Sequence, residues 1–585
     1  MTETIKNHPN PQLAREGYII LDGEWDFELD NDMTGFSRGL VKGELNGKIN
    51  VPFCPESVLS GVAHTDFIRA CWYKKSFFIT SEQLFKRVFI NFGAVDYEAK
   101  IYINGCYAGG HRGGQTPFSI DISSLITEGE NTVTVYVEDD INANVPSGKQ
   151  SKREQSYGCF YSRITGIWQT VYLEFTPKAY IESIIFTADI DNSSITVTAT
   201  VNSPGNLKAE VFYKEKLVGS ANVEIAYRQS FTVSLSEKHL WEAGDGRLYD
   251  VVLTFGDDIV KSYFGLRSTV YEDGAFKLNG KIVFQRFVLD QGYYPKGLYT
   301  VPSKAEIEKD IDLAIELGFN GARLHQKVFD PYYLYYADKK GFMVWGEFPS
   351  WGVRYSDLDA IGAVMGEWRE AVARDINHPS VITWCPLNET WEELDDVNKV
   401  RDVRFVEAMY DFTKTLDASR PCVDVSGGYH CNRTDLFDFH DYNGYAVLKA
   451  RFGKLEKDGT LDFDHLYTSG EPFTYKNQAL NLSEYGGASF SKTDKTSDGH
   501  SDKGDVWGYR AVSDESAFVD DYIKQTSLLL NCGKLSGFCY TQLYDIEQEQ
   551  NGLLYYDRKP KFNKESILKI AACNKTQAKI ETEKE

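Results

Sequence analysis

From about residue 275 the chain repeats one unit: a short apolar run, a polar or aromatic residue where it stops, then a helical stretch. The runs fall at 281–284, 321–325, 342–347, 381–384, 422–425, 436–442, just before Glu484, and at 537–542. Runs without polar alternation suit parallel strands buried on both faces. Between the first two, residues 303–317 read as a helix. Ser303 with Glu306 makes a capping box, Ile307, Ile311 and Ala314 share a face, and Gly318 stops it. Eight such units fit a (β/α)8 barrel better than an open sheet. In a barrel, residues at the C-terminal strand ends face a common mouth.

The first half of the chain has another rhythm. Short alternating strands broken by glycine turns fill residues 13–177, and Asn104-Gly105 is a hairpin signal. A β jelly-roll sandwich over residues 1–178 is expected. Residues 179–270 continue as short β runs, which predicts an immunoglobulin-like β-sandwich acting as a spacer. The barrel takes 271–585, ending in a Lys/Glu-rich tail after about 575 that is expected to be disordered.

Charge and cysteine content narrow the function. Sixty-three basic against 85 acidic residues leave a net charge of −22, which disfavours nucleic acid and anionic membranes as partners. Ten scattered cysteines without a Cys-x-x-Cys spacing suggest buried free thiols in a reducing compartment. The polar N-terminus has no signal-peptide core, and no run reaches the ~18 apolar residues of a membrane span. A cytoplasmic protein is the expectation, with homo-oligomerisation left open.

Two strand ends place a glutamate where a barrel opens, although surface glutamates also end many strands. Asn388-Glu389 follows the fourth run, and Leu482-Ser483-Glu484-Tyr485-Gly486-Gly487 puts a second glutamate at the seventh. With these stand Val51-Pro52, Trp72-Tyr73, Phe92-Gly93-Ala94-Val95-Asp96-Tyr97, Gly113-Gly114-Gln115-Thr116-Pro117-Phe118, Gly166-Ile167-Trp168-Gln169-Thr170-Val171 and Tyr263-Phe264-Gly265-Leu266-Arg267. Together these tracts resemble glycoside hydrolase family 2, the β-galactosidase, β-glucuronidase and β-mannosidase group. The resemblance implies a retaining β-glycosidase with Glu389 as acid/base and Glu484 as nucleophile, a two-carboxyl chemistry that needs no metal or organic cofactor.

It further implies substrate contacts at Asn388 (the sugar 2-hydroxyl) and His325, with Tyr442 on the nucleophile. Weaker candidates are Arg323, which would pair with Glu484, and His440, Asp441, Trp384, Gln542 and Asp545. For Glu347 and Asp545 a structural ion pair at the barrel top is an equal alternative. The loop 154–163 is expected to reach over the mouth, with Arg163 either a substrate contact or, more plainly, a surface arginine.

The sugar is approached by exclusion. Some members hold magnesium through a Glu-x-His tract, and here Glu347-Phe348-Pro349 has no histidine. β-Glucuronidases of the family carry an Asn-x-Lys tract before a glycine to meet the uronate. Here Glu549-Gln550-Asn551 precedes Gly552, while the Asp557-Arg558-Lys559-Pro560-Lys561 tail is kept. A neutral β-hexoside is therefore expected, β-galactoside first. A β-glucuronidase, a β-mannosidase, a transglycosylase or a non-catalytic carbohydrate-binding protein on the same fold are the alternatives. The last would be signalled by loss of either glutamate, and both are present.

Overall fold

The computed structural model describes residues 3–390, 402–461, 478–490, 506–512 and 514–583. The first module packs a six-stranded antiparallel sheet on a four-stranded one. Alternation does the sorting: Glu98–Ile103 buries every second residue, and Trp25, Tyr73, Ile90, Ile101, Val135 and Leu173 meet in one core. The Asn104-Gly105 hairpin forms, with φ of 52° and 77°, the left-handed pair that its two-residue turn demands. A three-stranded sheet on a four-stranded one, from Ile181–Asp189 to Asp258–Phe264, makes the immunoglobulin-like second module.

Seven parallel strands curl into the barrel in the order fourth, third, second, first, eighth, seventh, sixth. They are Val381–Cys385, Met343–Glu347, Gly321–Leu324, Gln285–Asp290, Gly537–Thr541, Leu480–Gly486 and Phe437–Asp441. The fifth run is not a regular strand. It joins the fourth through two parallel bridges, Trp384 to Cys422 and Asn388 to Ser426. Toward the sixth strand side chains replace the ladder: Ser426 Oγ donates to Asp438 at 3.0 Å, and His430 lies 2.6 Å from Asp424.

Three local expectations need correction. The run at 281–284 does not open the barrel. Lys281–Ile282 is the edge of a three-stranded antiparallel sheet whose Phe276 and Leu278 plug the barrel base, and the first parallel strand starts at Gln285. The helix Lys304–Glu316 has Ser303 at its N-cap, but no side-chain bond forms there; the Ser303 carbonyl takes the Glu306 N–H instead. The tail is ordered through Lys579–Glu583: Ile580 is buried, and Glu581 accepts from Arg286 at 2.7 Å. Burial of one isoleucine and one charge-assisted bond outweighs the tail's polar composition.

The modules are bonded to one another. Arg15 reaches Asp258 at 2.8 Å and Glu174 at 3.0 Å, and Asn377 exchanges two 2.8 Å bonds with the backbone of Ile184 and Phe186. Nearer the mouth, Ser147 N and Gly148 N donate to the carbonyls of Trp351 and Pro349. Gly148 has φ 59°, and a Cβ there would lie 2.3 Å from the Gln326 carbonyl oxygen, so only glycine lets the loop approach this closely.

Candidate active site

The strand ends converge on one cavity of about 630 Å³. Glu389, His440 and Tyr442 line it from the barrel, Tyr157, Cys159 and Phe160 from the first module, and Trp351, Trp507 and Tyr509 from barrel loops. Glu484 points up from the seventh strand. Its Oε1 takes a 3.0 Å bond from Arg323, and its Oε2 accepts from Tyr442, whose ring stacks on Tyr509. Arg323, wholly buried, also donates to Glu347 at 2.7 Å and to Asn388 Oδ1 at 3.1 Å.

Because a guanidinium only donates, the Asn388 atom facing it is the oxygen. The amide Nδ2 is left buried without a partner among the described residues. Glu389 follows at φ 42°, a left-handed conformation costing about 1–2 kcal/mol. Gly427 opposite makes room: a Cβ there would come within 2.6 Å of His440 and 2.9 Å of Glu389.

His440 stands between the two glutamates, 2.5 Å from Glu389 and 3.4 Å from Glu484. One carboxylate oxygen of each glutamate and a ring nitrogen of His440 all lie within 4.8 Å of one another. Such a trio is also a candidate cation site. Arg323 and His440, however, already set positive charge against Glu484.

Electrostatics separate the pair. Burial raises the Glu389 carboxyl, and the charge of Glu484 adds to this, against the pull of His440 and Lys149. Burial opposes ionisation of Glu484 too, but His440, His325, Arg323 and Lys149 more than reverse it and hold that carboxyl at about 2. His440 itself is raised: burial lowers it, and the two glutamates outweigh burial. His325, 2.7 Å from Glu347 and 4.0 Å from Glu484, is pushed well down by burial and the Lys149 charge. The environment thus favours the protonated form of Glu389, the ionised form of Glu484 and the neutral form of His325, which drives the two carboxyls apart.

Other candidates serve the frame. The Trp384 indole turns away from the cavity, donating to Asp417 at 2.9 Å and meeting Trp368 edge-on. Asp441 pairs with Arg451 and caps the turn at Asn443. Asp545 is ion-paired with Lys561 at 2.7 Å and accepts the Gly552 N–H. Arg163 is neither a surface residue nor in the cavity: it is buried on Phe67, bonded to the carbonyls of Arg153 and Thr65.

Gln542 belongs to a closed ring of hydrogen bonds below the cavity. Gln291 donates to Tyr161 (2.8 Å) and Gln542 (2.6 Å), Gln542 to Asn551 (2.9 Å), Asn551 to Glu549 (2.9 Å), and Tyr161 to Glu549. Sequence reasoning assigned no role to Lys149, Tyr161, Trp351 or Tyr509. Being aromatic residues in loops is the only local signal that Tyr161, Trp351 and Tyr509 leave, and Lys149 leaves none.

Comparison with known proteins follows the same division. The model described as glycosyl hydrolases family 2, sugar binding domain, matches residues 60–177, the family's central model 179–267 and its TIM barrel domain 272–572. A β-galactosidase of Thermoanaerobacter pseudethanolicus is 27% identical over 403 residues, 64% of this chain and 51% of that protein. The chain thus spans about half the length of that relative. A β-glucuronidase of Paenibacillus borealis is 26% identical, with 77% and 80% of the two chains aligned. Among solved structures, the Lactobacillus rhamnosus β-glucuronidase superposes with a TM-score of 0.78 at 20% identity, covering 98% of this chain and 99% of that one.

Proposed function

The chain belongs to glycosyl hydrolase family 2, and from that premise we propose that it is a retaining, exo-acting β-glycosidase working through a covalent glycosyl-enzyme. The observation that carries this is the separation of the two glutamates, whose nearest oxygens lie within 4.8 Å. Retaining enzymes hold their carboxyls about 5–5.5 Å apart, whereas inverting ones need roughly 6.5–9.5 Å to admit a water. Glu484, ionised and steadied by Arg323 and Tyr442, attacks the anomeric carbon. Glu389 gives its proton to the leaving oxygen and then takes one from water. The unpaired Asn388 amide is supplied for the sugar 2-hydroxyl, a contact that tightens in the transition state.

For the glycone, we propose a neutral β-hexoside, β-galactoside first. Glu549 supports this, since it is buried with its backbone bridged to the cavity residue Trp507, and a uronate held there would meet a second carboxylate. A β-glucuronidase reading is favoured by one observation, the buried ammonium of Lys149.

The test is chemical rescue. Glu484→Ala is expected to lose turnover of nitrophenyl β-galactoside and to regain part of it with azide. Glu389→Ala should keep fast turnover only with strongly activated leaving groups. Equal losses on good and poor leaving groups would remove Glu389 from the acid/base role. Faster hydrolysis of the glucuronide than the galactoside would overturn the neutral glycone. Chelation is expected to leave the rate unchanged.

A further inference from the structure

Lys149 comes from the first β-sandwich, yet its ammonium lies over Trp351, a residue that lines the barrel's cavity. Its backbone is fixed by the Tyr161 N–H at 2.8 Å, next to the Gly148 contact with the barrel. The ammonium sits 5.4 Å from the centre of the Trp351 ring and 5.9 Å from that of Tyr161. The residue is 4% exposed, and no hydrogen bond or ion pair among the described residues reaches the ammonium. Burying an unpaired cation is costly, and the cost falls when an oxygen arrives to accept from it. Burial opposes its charge, but Cys159 and the carboxylates of Glu549, Glu484 and Glu389 around it keep it protonated.

Tyr161 links this cation to an acceptor: its ring lies under the ammonium and its hydroxyl bonds to Glu549. Each Glu549 oxygen carries one protein bond, from Asn551 and from Tyr161, so each has a lone pair to spare. We infer that Lys149 and Glu549 together read the glycone's hydroxyl groups remote from the anomeric carbon, with the first β-sandwich supplying the donor and the barrel the acceptor.

The choice between hydroxyls and a carboxylate follows from hydrogen-bond capacity. A hydroxyl accepts from Lys149 and donates to Glu549. A uronate carboxylate only accepts, so it would satisfy Lys149, leave the spare lone pairs of Glu549 unfilled and set two carboxylates side by side. The inference rests on the glycosidase reading for its substrate class. It is tested by binding as well as by turnover, so that the two can fail separately.

The variant is Lys149→Met, which keeps the stem on Trp351 and Tyr161 and removes the donor. D-Galactose and its 3-, 4- and 6-deoxy analogues are titrated calorimetrically into wild type and variant, and the matching nitrophenyl β-galactosides are assayed. One deoxy position is expected to cost the wild type roughly 10- to 100-fold, the range of a hydrogen bond to a charged group. Lys149→Met should lose a similar factor on the parent sugar and nothing more at that position, with Tm unchanged. Glu549→Gln is expected to weaken the same sugars.

An identical deoxy pattern in wild type and variant, or a change confined to Tm, would overturn the assignment. So would absence of galactose binding, or a Lys149→Met loss seen only with glucuronic acid. Normal sugar binding with the expected pattern but no hydrolysis would leave the pair standing and remove the enzymatic reading instead.

Discussion

At the scale of single residues, the site depends on how few charges are left uncompensated. Arg323 touches Glu347, Glu484 and Asn388 at once, with no exposure. Replacing it with methionine would leave two buried carboxylates without their cation, a change of about 3–5 kcal/mol for a broken buried pair. Thermal unfolding should show a large fall in Tm. His440 offers a subtler test. Its positive charge pulls down both glutamates, so Asn in its place lets both carboxyls rise. Both limbs of the kcat/KM profile against pH are then expected to move to higher pH together; a profile that stays put would mean that the imidazole is neutral.

At the scale of elements, motif and structure part company where contact is remote in sequence. Glu389 and Glu484 were legible because each ends an apolar strand inside a recognisable tract. The alternation of the sandwich strands and the strand–helix rhythm of the barrel were legible for the same reason, since both periods are local. The fifth barrel run was counted from its apolar letters, but its pairing with the sixth is made by Asp424, Ser426 and His430, which no period predicts. Trp384 was a weaker site candidate as the aromatic residue that ends the fourth apolar run. The strand's pleat sends it the other way, toward Trp368. The loop at Ser147 and Gly148 had no signal at all, although it carries Lys149. Gly148→Ala is expected to displace that loop and cut kcat/KM at least 10-fold, while Glu484 keeps its surroundings. The mechanism is the 2.3 Å approach to the Gln326 carbonyl. Near-wild-type kinetics would show that the loop relaxes without moving Lys149.

At the scale of the whole molecule, the junction between sandwich and barrel is rich in buried acids. Glu56 is pushed up to about 8 and Asp139 to about 7, both chiefly by burial. Folded protein therefore holds protons that the unfolded chain releases above its ordinary carboxylate range near 4. Stability is fullest below that range and falls as pH rises to about 7–8, the reverse of a salt-bridged carboxylate. Tm should decline between pH 5 and pH 8, and Glu56→Gln should flatten the slope; a Tm that rises over this interval would contradict the assignment. No helix among the described residues is long and apolar enough to cross a membrane.

The hydrogen-bond ring below the cavity joins Tyr161 to Glu549 across 388 positions. During synthesis the first sandwich leaves the ribosome long before its partner is made. Glu389 and Glu484 are translated while that ring is still open, because Glu549 follows them in the sequence. The pocket closes only when the last barrel strand and the loop behind it have emerged. The proposed activity would then appear in one step, only after Glu549 has joined Tyr161.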